Sequence, residues 1–111
     1  MNYGLPPAAI ARIREVFARF PKVSKAVLYG SRAMGTYKTG SDIDLTLQGD
    51  ALTMQNLAAI ASELDDLLLP YAIDLSIYSM LNNADLREHI ERVGAVFYER
   101  DTTENFAKKI C

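Results

Sequence analysis

Apolar residues recur along this chain in two rhythms, one of three to four residues and one of two. Ile10, Ile13, Val16, Phe17 and Phe20 form one stripe, with Arg12, Arg14, Glu15 and Arg19 between them. Such spacing predicts a helix that starts at Pro6 or Pro7, where proline suits a first turn, and ends before Pro21. A second stripe, Leu57, Ile60, Ala61, Leu64, Leu67 and Leu68, predicts a helix over 53–69 stopped by Pro70. A third, Leu86, Ile90 and Val93, follows the capping candidates Asn82 and Asn83 and ends at Gly94.

Between these stripes the period falls to two. The run 25–29 (KAVLY) is short, apolar and partly β-branched, and reads as a buried strand stopping at Gly30. Segment 42–47 (DIDLTL) sets Ile43, Leu45 and Leu47 against Asp42, Asp44 and Thr46, and segment 72–77 (AIDLSI) sets Ile73, Leu75 and Ile77 against Ala72, Asp74 and Ser76. Residues 95–98 form a last short strand, and 31–41, rich in Gly, Ser and Thr, hold one helical turn and a loop. The tail beyond Asp101 is polar and either frays or forms a short helix. The order α-β-β-α-β-α-β predicts an α/β (α+β) fold, a small mixed β-sheet with helices packed on one face, in one domain over 1–111.

Composition narrows the partners. Half of the 111 residues are apolar and 23% are charged, with a formal net charge of −2. That balance fits a globular chain and disfavours direct nucleic-acid binding, which draws on basic patches. A small phosphate-bearing ligand needs only local donors and stays open. The lone cysteine, Cys111, has no disulfide or zinc partner, as in a reducing cytoplasm. Neither a membrane span nor a signal-peptide layout is present in the sequence, so a soluble cytoplasmic protein is expected.

Three features carry candidate chemistry. Gly30-Ser31 ends a predicted strand at a helical turn, where glycine permits close backbone approach and free N–H groups favour a phosphate. Taken alone, strand-Gly-Ser is commonly a plain turn. Asp42-Ile43-Asp44 puts two carboxylates on one face of a strand, a donor set suited to magnesium with phosphate oxygens completing the shell. An isolated Asp-x-Asp more often simply faces solvent. Asp74 occupies the matching polar face of a second apolar strand, although aspartate is disfavoured inside strands. If the two strands pair, the three carboxylates come within reach of a two-metal site.

The run from Gly30 to Leu45 (GSRAMGTYKTGSDIDL) resembles the signature of the DNA polymerase β-type nucleotidyltransferase superfamily. That signature is Gly-Ser, ten residues, Asp-x-Asp, then a third aspartate on a later strand. Gly35 and Ser41-Asp42 further resemble the minimal nucleotidyltransferase (MNT) group, which pairs with HEPN-domain partners. The resemblance implies that Gly30 and Ser31 hold a triphosphate and that Asp42 and Asp44 bind two Mg2+ ions. It implies that Asp74 completes the metal site and helps deprotonate an acceptor hydroxyl. The implied reaction is transfer of AMP from ATP to a hydroxyl of a HEPN ribonuclease toxin, the chain acting as antitoxin. The alternatives are a non-catalytic antitoxin that neutralises by binding, and the catalytic subunit of a two-chain small-molecule nucleotidyltransferase.

Other polar residues are read as structural. His89, in the charged run Arg87–Arg92, is expected to be an exposed surface histidine, and Asp65-Asp66 a solvated helix face. Arg32 and Lys38 either touch phosphates or are solvated loop cations, and they are left outside the site. Tyr29, Tyr71, Tyr78 and Tyr98 flank strands, where aromatic rings usually pack, with base stacking the alternative for one of them.

Overall fold

A computed structural model describes residues 3–100. The expectations for the tail beyond Asp101 and for Cys111 lie outside the described residues.

Helix α1 (Pro7–Ala18) begins at the two prolines and buries Ile10, Ile13, Val16 and Phe17, the stripe read from the sequence. Strand β1 (Lys25–Tyr29) runs directly into the short helix α2 (Gly30–Met34), and β2 (Ile43–Gln48) follows the loop. Helix α3 (Met54–Asp65) opens on a reciprocal cap: Thr53 Oγ1 accepts from the Asn56 amide, and Asn56 Oδ1 accepts from the Thr53 amide. Such caps contribute about 1 kcal/mol. The helix stops short of residue 69 because Leu68 adopts a left-handed backbone, φ 56°, which no helical turn accommodates. Strand β3 (Ile73–Ile77) leads through a 3-10 turn (Tyr78–Met80) to α4 (Ala84–Val93) and the last strand, β4 (Ala95–Glu99). Asn83 caps α4, its Oδ1 accepting from the Leu86 amide at 3.1 Å.

The four strands lie in the order β3-β2-β1-β4. Strand β1 is antiparallel to both β2 and β4, whereas β2 and β3 are parallel, joined by the crossover through α3. The sheet is mixed, as expected. One of its faces carries Ala26, Leu28, Ile43, Leu45, Leu47 and Ile77, which pack with α1 and α3 in the main core. A β-bulge in the β1–β4 pairing shifts the register between Ala26 and Val27. It lets both Phe97 and Tyr98 turn toward that core, Tyr98 against Phe17.

Helix α4 adds cover on the opposite face, beyond the single helical layer read from the sequence. Val27 and Tyr29, the outward members of β1, pack with Ile90, Leu86 and Val93 in a second, smaller core. The physical reason is the composition of β1: all of Ala26–Tyr29 is apolar or aromatic, so both of its faces require burial. The polar ends of β2 and β3 stand beside this second core.

Candidate active site

Sheet register decides which polar side chains meet. Asp44 pairs with Tyr29 across the antiparallel β1–β2 ladder and with Asp74 across the parallel β2–β3 ladder. Residues aligned in neighbouring strands share a face, so Tyr29, Asp44 and Asp74 form one row on the α4 side of the sheet. One step along the strands, Ser76 donates from Oγ to Thr46 Oγ1 at 2.9 Å, which satisfies the fully buried threonine. The expected juxtaposition of Asp44 with Asp74 is therefore present.

Asp42 lies one residue ahead of β2, with its side chain exposed. It is close enough to act on Asp44. The Asp44 carboxyl is pushed above the ordinary aspartate range, first by partial burial and then by the negative charges of Asp74 and Asp42, while His89 acts in the opposite sense. Three carboxylates thus share one electrostatic neighbourhood with Asp44 at its centre. Among the described residues they do not close into a compact ligand cage of their own. Two carboxylates at strand ends form an open arrangement, and the remaining coordination positions of a hard cation would fall to phosphate oxygens or water.

Glycine suits position 30 on two counts. Its φ is +75°, a conformation that costs other L-residues roughly 1–2 kcal/mol, and a side chain on it would collide with Asp44 Oδ2. The Gly-Ser turn is packed directly on the central carboxylate, and Ser31 follows within the first turn of α2. All five residues singled out in the sequence, Gly30, Ser31, Asp42, Asp44 and Asp74, therefore fall at one end of β1, β2 and β3.

Carboxylates that repel one another beside a glycine turn have the chemistry to receive a cation and an anion together, and comparison with known proteins places the chain in a family. The model of the family "Polymerase beta, Nucleotidyltransferase" matches residues 11–103. The chain belongs to the polymerase β nucleotidyltransferase family. No curated protein sequence matches it. Among solved structures, this nucleotidyltransferase resembles a toxin–antitoxin complex with AMP-PNP, with 24% identity, TM-score 0.67, and 90% of this chain and 82% of that chain covered. It also resembles a tri-AMPylated Shewanella oneidensis HEPN toxin in complex with MNT antitoxin, with 18% identity, TM-score 0.62, and 89% and 76% covered. A third, an MntA-HepT toxin-antitoxin complex, matches at 22% identity and TM-score 0.62, with 94% and 82% covered. At these identities the likeness is one of fold.

Two residues of this nucleotidyltransferase depart from the sequence-based expectation. Arg32 is not a solvated loop cation: it is 2% exposed. Its Nε and Nη2 donate to the Ser41 carbonyl at 3.1 and 2.8 Å, and Nη1 donates to the Tyr3 carbonyl at 2.8 Å. The guanidinium also lies against the rings of Tyr37 and Tyr71. It ties the start of the ten-residue loop to its end, one residue before Asp42. Its signal in the sequence was its place on α2, where it follows Ser31 directly.

His89 is the second. It is half-buried, its Nε2 accepts from the Gly30 amide at 3.2 Å, and its ring meets that of Tyr29 edge-on with centroids 6.2 Å apart. The signal lay in the helical phase, since His89 flanks the Leu86–Ile90–Val93 stripe at i+3 from Leu86. Lys38 is exposed, as expected for a loop cation, and Tyr29 is buried against α4.

Proposed function

We propose that the chain is a metal-dependent nucleotidyltransferase that transfers AMP from ATP to a hydroxyl of a HEPN-domain toxin, which it modifies as an antitoxin in the cytoplasm. The observation that carries this reading is the in-register pair of Asp44 and Asp74 on adjacent strands, with the Gly30–Ser31 turn packed on Asp44. Family membership supports nucleotidyl transfer as the chemistry, and fold neighbours crystallised with AMP-PNP and with an AMPylated HEPN toxin support the donor and the acceptor.

The donor set fits the cation such a reaction uses: hard carboxylate oxygens, mutually repelling, at the open end of a sheet. Asp42 and Asp44 would hold both Mg2+ ions, and Asp74 would complete the site. Metal held there would neutralise charge on phosphate oxygens and favour an in-line displacement. Gly30 brings backbone close to the triphosphate, and the Ser31 hydroxyl donates to a phosphate oxygen. Asp74, on the edge strand, accepts the proton of the incoming acceptor hydroxyl. The new bond joins that oxygen to the α-phosphorus as the bond to pyrophosphate breaks.

The test is transfer of labelled AMP to a co-expressed HEPN partner in the presence of magnesium. Label on the wild-type reaction and its loss in Asp44→Asn are expected. Neutralisation of the toxin by unlabelled Asp44→Asn would overturn catalysis in favour of an antitoxin that works by contact.

A further inference from the structure

Gly30 and His89 are 59 residues apart in sequence, yet they meet in a single hydrogen bond. The Gly30 amide belongs to the first residue of α2, so no carbonyl within that helix is available to it. The acceptor it finds is a side chain from α4. Acceptance by Nε2 requires the neutral tautomer with its proton on Nδ1. The ring is itself held, edge-on against Tyr29 on the helix that covers β1.

Asp44 also lies close to the same residue, its carboxylate occupying the place that a Gly30 side chain would take. Gly30 thus lies between a carboxylate from β2 and an imidazole from α4, with its amide hydrogen-bonded to the imidazole. A small rotation of this peptide would carry the Ser31 hydroxyl and the following amides away from Asp44. Glycine at φ +75° has no Cβ to resist that rotation, so external contacts must supply the restraint.

We propose that His89 is a positioning residue for the nucleotide: through the Gly30 amide it fixes the Gly30–Ser31 turn relative to Asp44, and so sets affinity for the triphosphate. It does not touch the reacting atoms. The inference rests on the reading of this turn as the triphosphate holder.

The experiment uses the full chain with Mg2+ and a non-hydrolysable ATP analogue, measuring Kd by calorimetry and melting temperature in parallel. His89→Phe keeps a ring against Tyr29 and removes the acceptor, whereas His89→Gln keeps an acceptor oxygen. His89→Phe is expected to weaken binding roughly tenfold, the scale of one buried hydrogen bond, with His89→Gln recovering most of the loss. In the transfer assay the Phe variant should raise KM for ATP more than it lowers kcat. Equal affinity of His89→Phe and wild type overturns the inference, as does equal weakening in both variants at unchanged melting temperature. If the wild-type chain fails to bind the analogue, the nucleotidyltransferase reading falls instead. In that case a through-hydrogen-bond coupling between the Gly30 amide and His89 Nε2 in NMR still reports the bond, and only its purpose is lost.

Discussion

Arg32 and Ser41 close the loop between the Gly-Ser turn and the Asp-x-Asp strand, through two N–H···O bonds from one guanidinium to one carbonyl. Two elements that must stay in fixed relation are thereby joined by a buried cation. Lysine has neither the forked geometry nor enough directed donors to replace it. Arg32→Lys is expected to lower stability by about 1–3 kcal/mol, the cost of leaving partly buried carbonyls unpaired. Urea unfolding measures this, and the same variant should transfer AMP more slowly because Asp42 follows the released carbonyl. Unchanged stability would remove Arg32 from the framework of the site.

Two glycines separate backbone strain from site packing. Gly30 and Gly35 both have positive φ, +75° and +80°, but only Gly30 faces Asp44, while nothing lies within 4 Å of a side chain at Gly35. Gly35→Ala should therefore cost only the roughly 1–2 kcal/mol of a left-handed alanine and keep its transfer activity. Gly30→Ala should lose more stability and also its transfer activity. Equal behaviour of the two variants would contradict the close packing of the turn on Asp44.

The raised Asp44 pKa gives a stability profile of definite sign. Its protonated form is favoured in the fold, so the contribution of this group is fully present below the ordinary aspartate value of 3.8 and is lost as pH rises through the raised folded value. Asp44→Asn removes that loss. The variant should gain stability relative to wild type across this window and keep a constant advantage above it, in metal-free buffer. Chemical unfolding from pH 3 to 7 reads the difference. An advantage that shrinks as pH rises would mean the carboxylate is stabilised rather than crowded.

Magnesium and nucleotide should act together on stability. At ligand concentrations near 100 times Kd, binding to the folded state alone adds about 2.7 kcal/mol. Thermal unfolding should show a rise of several degrees with both present and a smaller one with either alone. Asp74→Asn should abolish most of it, and a full shift in that variant would exclude Asp74 from the metal site.

The strands and their polar faces were legible because alternation in DIDLTL and AIDLSI is a purely local signal. Strand β1 was bounded at Lys25 and Tyr29 as observed. The pairing that sets Asp44 beside Asp74 was only conditional, since register depends on a crossover through α3 that no short window encodes. The misread residues, Arg32 and His89, share one cause. Each is a polar side chain whose partner is a backbone group, Ser41 O and Gly30 N, and backbone groups leave no mark in residue identity. The side of the sheet taken by α4 was hidden for a similar reason: the stripe Leu86, Ile90, Val93 specifies a buried face but not the surface that buries it.

Strand β3 lies at the margin of the sheet and pairs with β2 alone. Parallel pairing of β2 with β3 requires the intervening helix to fold back, a longer-range closure than the antiparallel pairing of β1 with β2. Topology therefore predicts that Asp74 reaches the site after Asp42 and Asp44, so a partly folded chain would hold the Gly-Ser turn beside the Asp-x-Asp strand without the third acid. On the function proposed above, nucleotide chemistry would wait on the docking of β3, one of the two edge strands, and activity would report that this margin of the sheet has formed.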